Sequence, residues 1–300
     1  MVKKTTRSQS FFAKISLNFI AKRVYLLYNI REMDFENIIA TIASVIVVLL
    51  ALPIHEFAHA FAAVKAGDPT PKLQGRYTIN PLKHFDLVGL IMLVVVHFGW
   101  AKPVPINPYN FKHLRRDYFW VSFAGILINL IMGFLSSLLL VLFGVISCAV
   151  LSEELTVAGM TAYTVSKTNF ALLEFGILRY LFNYGLISAG KYIFFGLIYY
   201  ILFFGVVINI NLALFNLIPV YPLDGFRILD CALKKKGRVF DFLGRKGYYV
   251  LLGLILWGVL CDAIARYVPI FEMFDVLGVA LNYANGFIRN LFFELWGLFI

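Results

Sequence analysis

Three long stretches without charge limit what this chain can fold into more than any other feature. Residues 118–152 and 192–223 contain no Asp, Glu, Lys, Arg or His, and residues 38–64 contain only His55, Glu56 and His59. Each stretch exceeds the roughly 20 residues that an α-helix needs to cross a bilayer. Lipid offers no hydrogen bonds to the backbone, so such segments satisfy themselves as helices. The expectation is an all-α polytopic membrane protein. Composition agrees: 61% of residues are hydrophobic, against about 45–50% in soluble domains. The net charge of +10 does not point to nucleic acid, because the basic residues lie in short loops and in the N-terminal tail. That is how Lys and Arg mark the cytoplasmic side of a membrane. The bilayer is the expected surrounding, and no nucleic-acid partner is expected.

No internal repeat or hydrophilic domain interrupts the chain. Residues 37–268 read as one membrane domain with strong helices near 37–65, 118–150, 190–217 and 246–268. Residues 1–36 form a basic amphipathic tail suited to a membrane surface, with no cleavage site that would make it a secretory leader. Residues 269–300 read as an amphipathic helix or a further span. Residues 87–101 are short for a span and read as a re-entrant or extended segment. Basic residues concentrate in 65–86, 102–117 and 225–246, which places those loops in the cytoplasm and 151–189 outside. This topology requires 87–101 to return to the side it leaves. It also puts the basic tail outside, unless 11–30 crosses or 87–101 is a full span. Cys148, Cys231 and Cys261 show no paired spacing, so neither a disulfide nor a cysteine metal site is expected.

The segment ALPIHEFAHAFAA (51–63) carries the chemistry. Positions i and i+4 of a helix lie about 40° apart around the axis and roughly 6 Å along it. His55 and His59 therefore share a face and can reach one zinc ion, with Glu56 beside them to take a proton from water. From five His and eight Glu, the pattern arises by chance about 0.002 times in such a chain. A buried carboxylate at membrane depth is costly, which weighs against a merely structural polar face. A catalytic zinc takes three protein ligands and keeps one position open. His84, His97 and His113 are candidates, but each is solitary and near a loop or segment end, where interface anchoring or loop hydrogen bonding is the favoured reading. The stronger third candidate is Asp224 in FNLIPVYPLDGFRIL, where Pro219 and Pro222 break a helix and Asp224–Gly225 makes a turn. The alternative is that Asp224 caps the following helix. Six residues from Lys65, His59 lies about 9 Å from the helix end, so the site is expected just below the cytoplasmic surface.

Together, HEFAH at 55–59, AGILIN at 124–129 and NLIPVYPLDG at 216–225 resemble the site-2 protease family of intramembrane zinc metalloproteases. The segments AGDPTPKLQGRYTINPLKHFD (66–86) and GWAKPVPINPYNF (99–111) resemble its compact bacterial and archaeal members without a PDZ insertion. The likeness covers about residues 37–260. It implies one zinc ion per chain held by His55, His59 and Asp224, with Glu56 activating water and Asn129 facing the catalytic pocket. It also implies a transmembrane protein or peptide as substrate and a prokaryotic cell membrane as location, and leaves homo-oligomerisation open. Ile126 and Tyr221 stand where that family commonly has Pro, and neither change removes a ligand or the base. Two rival readings remain. A prenyl-protein-type peptidase shares His-Glu-x-x-His but takes a Glu as third ligand. A non-enzymatic transporter or regulatory scaffold would use the polar site for an ion or a partner.

Overall fold

The computed structural model describes residues 35–84, 102–159, 175–265 and 267–298. The expectations for the N-terminal tail, for 87–101 and for much of 151–189 fall largely outside these residues. The elements in chain order begin with α1 (Phe35–Ala66), α2 (Thr70–Leu73), α3 (Pro81–His84) and a 3-10 turn (Pro108–Asn110). Then come α4 (Leu114–Val150), α5 (Ser152–Val157), α6 (Phe175–Asn183) and α7 (Ala189–Leu217). The chain ends with α8 (Asp224–Ala232), α9 (Arg238–Ala265), a second 3-10 turn (Pro269–Phe274) and α10 (Val276–Gly297). Among the described residues there is no strand, and four helices are long and apolar enough to cross a membrane: α1, α4, α7 and α9. The protein is an all-α, multi-pass membrane protein.

α1, α4 and α7 pack against one another, and α8 lies on α4. Close approach in lipid depends on small residues. A Cβ on Gly205 would stand 2.6 Å from Ser136 Oγ, and one on Gly133 would stand 3.3 Å from Ile210 Cγ1. At one end of the bundle, Ile39, Cys148, Leu151, Leu155, Leu178, Leu181 and Tyr192 form an apolar cluster. Tyr200 donates to Glu36 Oε1 at 2.9 Å there, and Lys191 pairs with Glu154 at 2.6 Å. The C-terminal end of α1 and the N-terminal end of α4 meet at the opposite end, around Ala63, Phe111 and Val121.

That opposite end holds segment 102–107, which has no regular secondary structure. The Lys102 N–H donates to the His84 carbonyl at 2.6 Å and Lys112 N–H to Ala66 O at 3.1 Å. Lys102 therefore lies beside the end of α3. Gly67, at φ +111, makes the turn out of α1, and a Cβ there would press on Asn110 O at 3.0 Å. Asp68 follows, fully buried. Its carboxylate accepts from Thr70 N (3.0 Å), Thr70 Oγ1 (2.5 Å), Asn110 Nδ2 (2.8 Å) and Asn107 N (2.7 Å).

Burial pushes the Asp68 carboxyl up, and the hydrogen bonds from Thr70, Asn110 and Asn107 outweigh it, so its pKa lies below the ordinary 3.8. A carboxylate depressed on folding contributes stability that is complete above its unfolded value and is lost as pH falls through the lower, folded one. The gap in thermal midpoint between native protein and Asp68→Asn is thus expected to hold from neutral pH to about pH 4 and to narrow below it. A gap that widened in acid would contradict this assignment.

The structure corrects several boundaries. α4 begins at Leu114 rather than near 118, and α9 at Arg238 rather than near 246. Polar and basic residues extend each helix past the lipid-matched core, with long cationic side chains reaching back to water. The 225–246 segment is therefore mostly helical. α1 runs through Pro53 without ending there. Residues 276–297 form a helix that docks on the bundle and is not among the four candidate spans. Asn285 Nδ2 donates to Val207 O at 3.0 Å and to Asn211 Oδ1 at 2.8 Å, and Trp296 Nε1 donates to Ser137 Oγ at 2.9 Å.

Candidate metal centre

The site is assembled from three helices. α1 presents His55 and His59 one turn apart, with ring centroids 4.6 Å from each other. α4 crosses directly over them at Gly125. A Cβ there would lie 2.5 Å from both His55 Cε1 and His59 Nε2, so only a glycine permits this approach. The end of α7 breaks at Pro219, passes a cis Tyr221–Pro222 bond, and starts α8 at Asp224. Gly225 makes that start possible, because a Cβ on it would collide with the carbonyls of Leu217 and Ile218. Arg115 of α4 secures the far end of α8 by donating to the carbonyls of Cys231 and Ala232.

Three ligand atoms converge. His55 Nε2 and His59 Nε2 are 3.0 Å apart, and Asp224 Oδ2 lies 3.4 Å and 3.0 Å from them. All three residues are buried, and their ligand atoms form a group able to hold a metal ion. His59 Nδ1 is 2.7 Å from the Val121 carbonyl, which can only accept. Nδ1 therefore carries the proton and Nε2 offers a lone pair to the cluster. A histidine fixed in this way by a backbone carbonyl is the usual outer support of a metal ligand. Lone pairs and a carboxylate packed this closely form a donor set able to hold a cation. The separations match the edge of a tetrahedral zinc site with nitrogen and oxygen ligands, about 3.3 Å. The donor set fits zinc.

Asp224 does not act as a cap: it is the first residue of α8, Leu223 precedes it at the cap position, and no side-chain cap bond forms. Its other oxygen, Oδ1, lies 3.4 Å from Arg227 Nη1. Glu56 lies between the two histidines in sequence and accepts the Val104 N–H through Oε2 at 2.9 Å. Asn129 is fully buried, and neither its Oδ1 nor its Nδ2 has a partner. It sits one turn beyond Gly125 on α4, while Ser122 Oγ, likewise buried and unpartnered, sits one turn before it. The other described histidines stay apart from the cluster. His84 Nε2 faces the Thr78 carbonyl at 2.7 Å, and His113 precedes α4. Among the described residues no Glu joins the ligand group, unlike the prenyl-protein pattern.

Sequence reasoning missed Val104 and Asp68. Val104 had a local signal, since prolines flank it on both sides. Asp68 had only its place after the glycine that ends α1.

A helical membrane protein in which a His-Glu-x-x-His helix and a distant carboxylate meet at one buried point has the constitution of a membrane zinc peptidase. The sequence model of Peptidase family M50, the site-2 protease family, matches residues 43–257, and the chain belongs to that family. It is 36% identical over 188 residues to the protein named "Putative zinc metalloprotease YwhC" of Bacillus subtilis (strain 168). That alignment covers 62% of this chain and 67% of the other. No solved structure matches the chain. The protein is thus a membrane metallopeptidase.

Proposed function

We propose that this chain is an intramembrane zinc endopeptidase that hydrolyses peptide bonds in or near transmembrane segments of other membrane proteins. One observation carries the reading: His55 Nε2, His59 Nε2 and Asp224 Oδ2 converge at one end of a membrane-spanning bundle, beside Glu56. His55, His59 and Asp224 would hold one zinc ion, which would supply Lewis acidity to polarise the scissile carbonyl and make water a better proton donor. Glu56 takes the proton from the attacking water and delivers it to the leaving nitrogen. Asn129, buried with its amide unpaired, donates to the substrate carbonyl as negative charge develops on it. The 102–107 segment offers backbone groups to a substrate unwound from helix. The site lies at the end of the bundle that carries the basic 225–246 segment, which positive-inside reasoning assigns to the cytoplasmic face of a prokaryotic membrane.

The test is zinc retention together with cleavage. Asp224→Asn replaces an anionic ligand oxygen with a neutral amide of the same shape. It is expected to lower both zinc content and cleavage of a single-span peptide by at least about tenfold. Metal analysis and product counting on the same preparation check this. Full zinc and full cleavage in the variant would remove Asp224 from the site.

A further inference from the structure

Glu56 is connected to a second carboxylate, outside the ligand group, through a short stretch of backbone. Val104 donates its N–H to Glu56 Oε2 at 2.9 Å, and three residues later the Asn107 N–H donates to Asp68 Oδ2 at 2.7 Å. Pro103 and Pro105 have no N–H, so Val104 is the sole backbone donor between Lys102 and Ile106. Their fixed φ angles also stiffen the stretch. The Asp68 carboxylate is fully buried and takes four hydrogen bonds from Thr70, Asn107 and Asn110. Among the described residues it makes no salt bridge. A buried charge of this kind is tolerated only when donors converge on it, so it dictates where the donors, and the chain that bears them, must lie.

We propose that Asp68 is a positioning residue for Glu56: it clasps the 102–112 segment so that the Val104 N–H fixes Glu56 Oε2 and leaves Oε1 to take the proton. This rests on the reading of Glu56 as the general base. Asp68 itself touches neither the substrate nor the ligand cluster. Its contribution is to the orientation of the base, which appears in kcat rather than in zinc affinity or KM. Asp68→Asn keeps the side-chain shape and an acceptor oxygen for Thr70 and Asn110, but turns an NH2 group toward the Asn107 N–H. Val104→Pro removes the Val104 N–H that Glu56 accepts and leaves the clasp intact, whereas Val104→Ala keeps that donor.

The experiment compares purified native protein with these variants in vesicles of phosphatidylethanolamine and phosphatidylglycerol, using a dye-labelled single-span peptide as substrate. Asp68→Asn is expected to lower kcat by about 10–100-fold with KM and bound zinc close to native. Val104→Pro is expected to fall similarly, with Val104→Ala cutting at least about tenfold faster than it. Should Asp68→Asn fail to fold, the Val104 pair decides. Equal kcat for the two Val104 variants would overturn the proposal, as would zinc loss or a raised KM as the main effect of Asp68→Asn. Undiminished cutting by Glu56→Gln would instead overturn the reading of Glu56 as base, and the proposal with it.

Discussion

Glu56→Gln is expected to reduce cleavage by about 10²–10⁴-fold, the range lost when a positioned proton-transfer group is removed, with bound zinc unchanged. The substitution separates chemistry from structure. A Gln at this place keeps the length of the side chain and still has an oxygen to accept the Val104 N–H that Glu56 Oε2 now takes at 2.9 Å. His55, His59 and Asp224 hold their positions independently of it, through the Val121 carbonyl, the turn at Gly225 and the approach of α4 at Gly125. Only the capacity to take a proton is lost. Metal analysis beside single-turnover cleavage reads the two properties separately. A variant that lost zinc in step with activity would make Glu56 part of the ligand scaffold.

Gly125→Ala is expected to be nearly as damaging, although it adds only one methyl group and replaces none of the three ligands. The added carbon would lie 2.5 Å from His55 Cε1, 2.5 Å from His59 Nε2 and 2.6 Å from His59 Cε1. The imidazoles have no room to retreat: His59 is tied to Val121 O and both rings are buried. α4 must therefore move outward, stretching that tie and parting the ligands from Asp224. Displacement of a reacting group by about 1 Å costs on the order of 10²-fold in rate, and zinc retention is expected to fall with it. Gly133→Ala is the comparison, about two turns further along α4, where the helix meets α7 instead of the histidines. There the new Cβ meets Ile210 Cγ1 at 3.3 Å, a side chain able to yield a few tenths of an ångström. Cleavage by Gly133→Ala is expected to stay within about twofold of native. Equal losses at the two glycines would mean that helix packing in general, rather than the histidine pair, governs the effect.

Much of this was legible in the sequence because lipid imposes simple rules. An uncharged run of sufficient length has to be a helix, so α1, α4 and α7 were found almost to their ends. The histidine pair was legible from i, i+4 spacing alone. Asp224 was legible as a broken helix followed by a turn, and as part of a family motif. Hydropathy reports the thickness of the apolar layer rather than the length of the helix. For that reason the starts at Leu114 and Arg238, beyond the apolar cores, were placed too late. The final segment was ambiguous because Asn285, Arg289 and Glu294 dilute its apolar face; only packing shows that Asn285 binds α7. The tie from Asp68 through Asn107 and Val104 to Glu56 joins residues about 40 positions apart along the chain, and no local periodicity announces such pairings.

If His55, His59 and Asp224 form one zinc site, peptide-bond cleavage in the membrane depends on it. The most direct test is to strip the reconstituted protein with a chelator and restore zinc in steps, counting bound ions and cut single-span peptide together. The stripped protein is expected to be inactive, with cleavage rising in proportion to bound zinc and reaching its maximum at one ion per chain. Cleavage by the stripped protein at the native rate, or zinc that binds fully without restoring cleavage, would contradict that dependence.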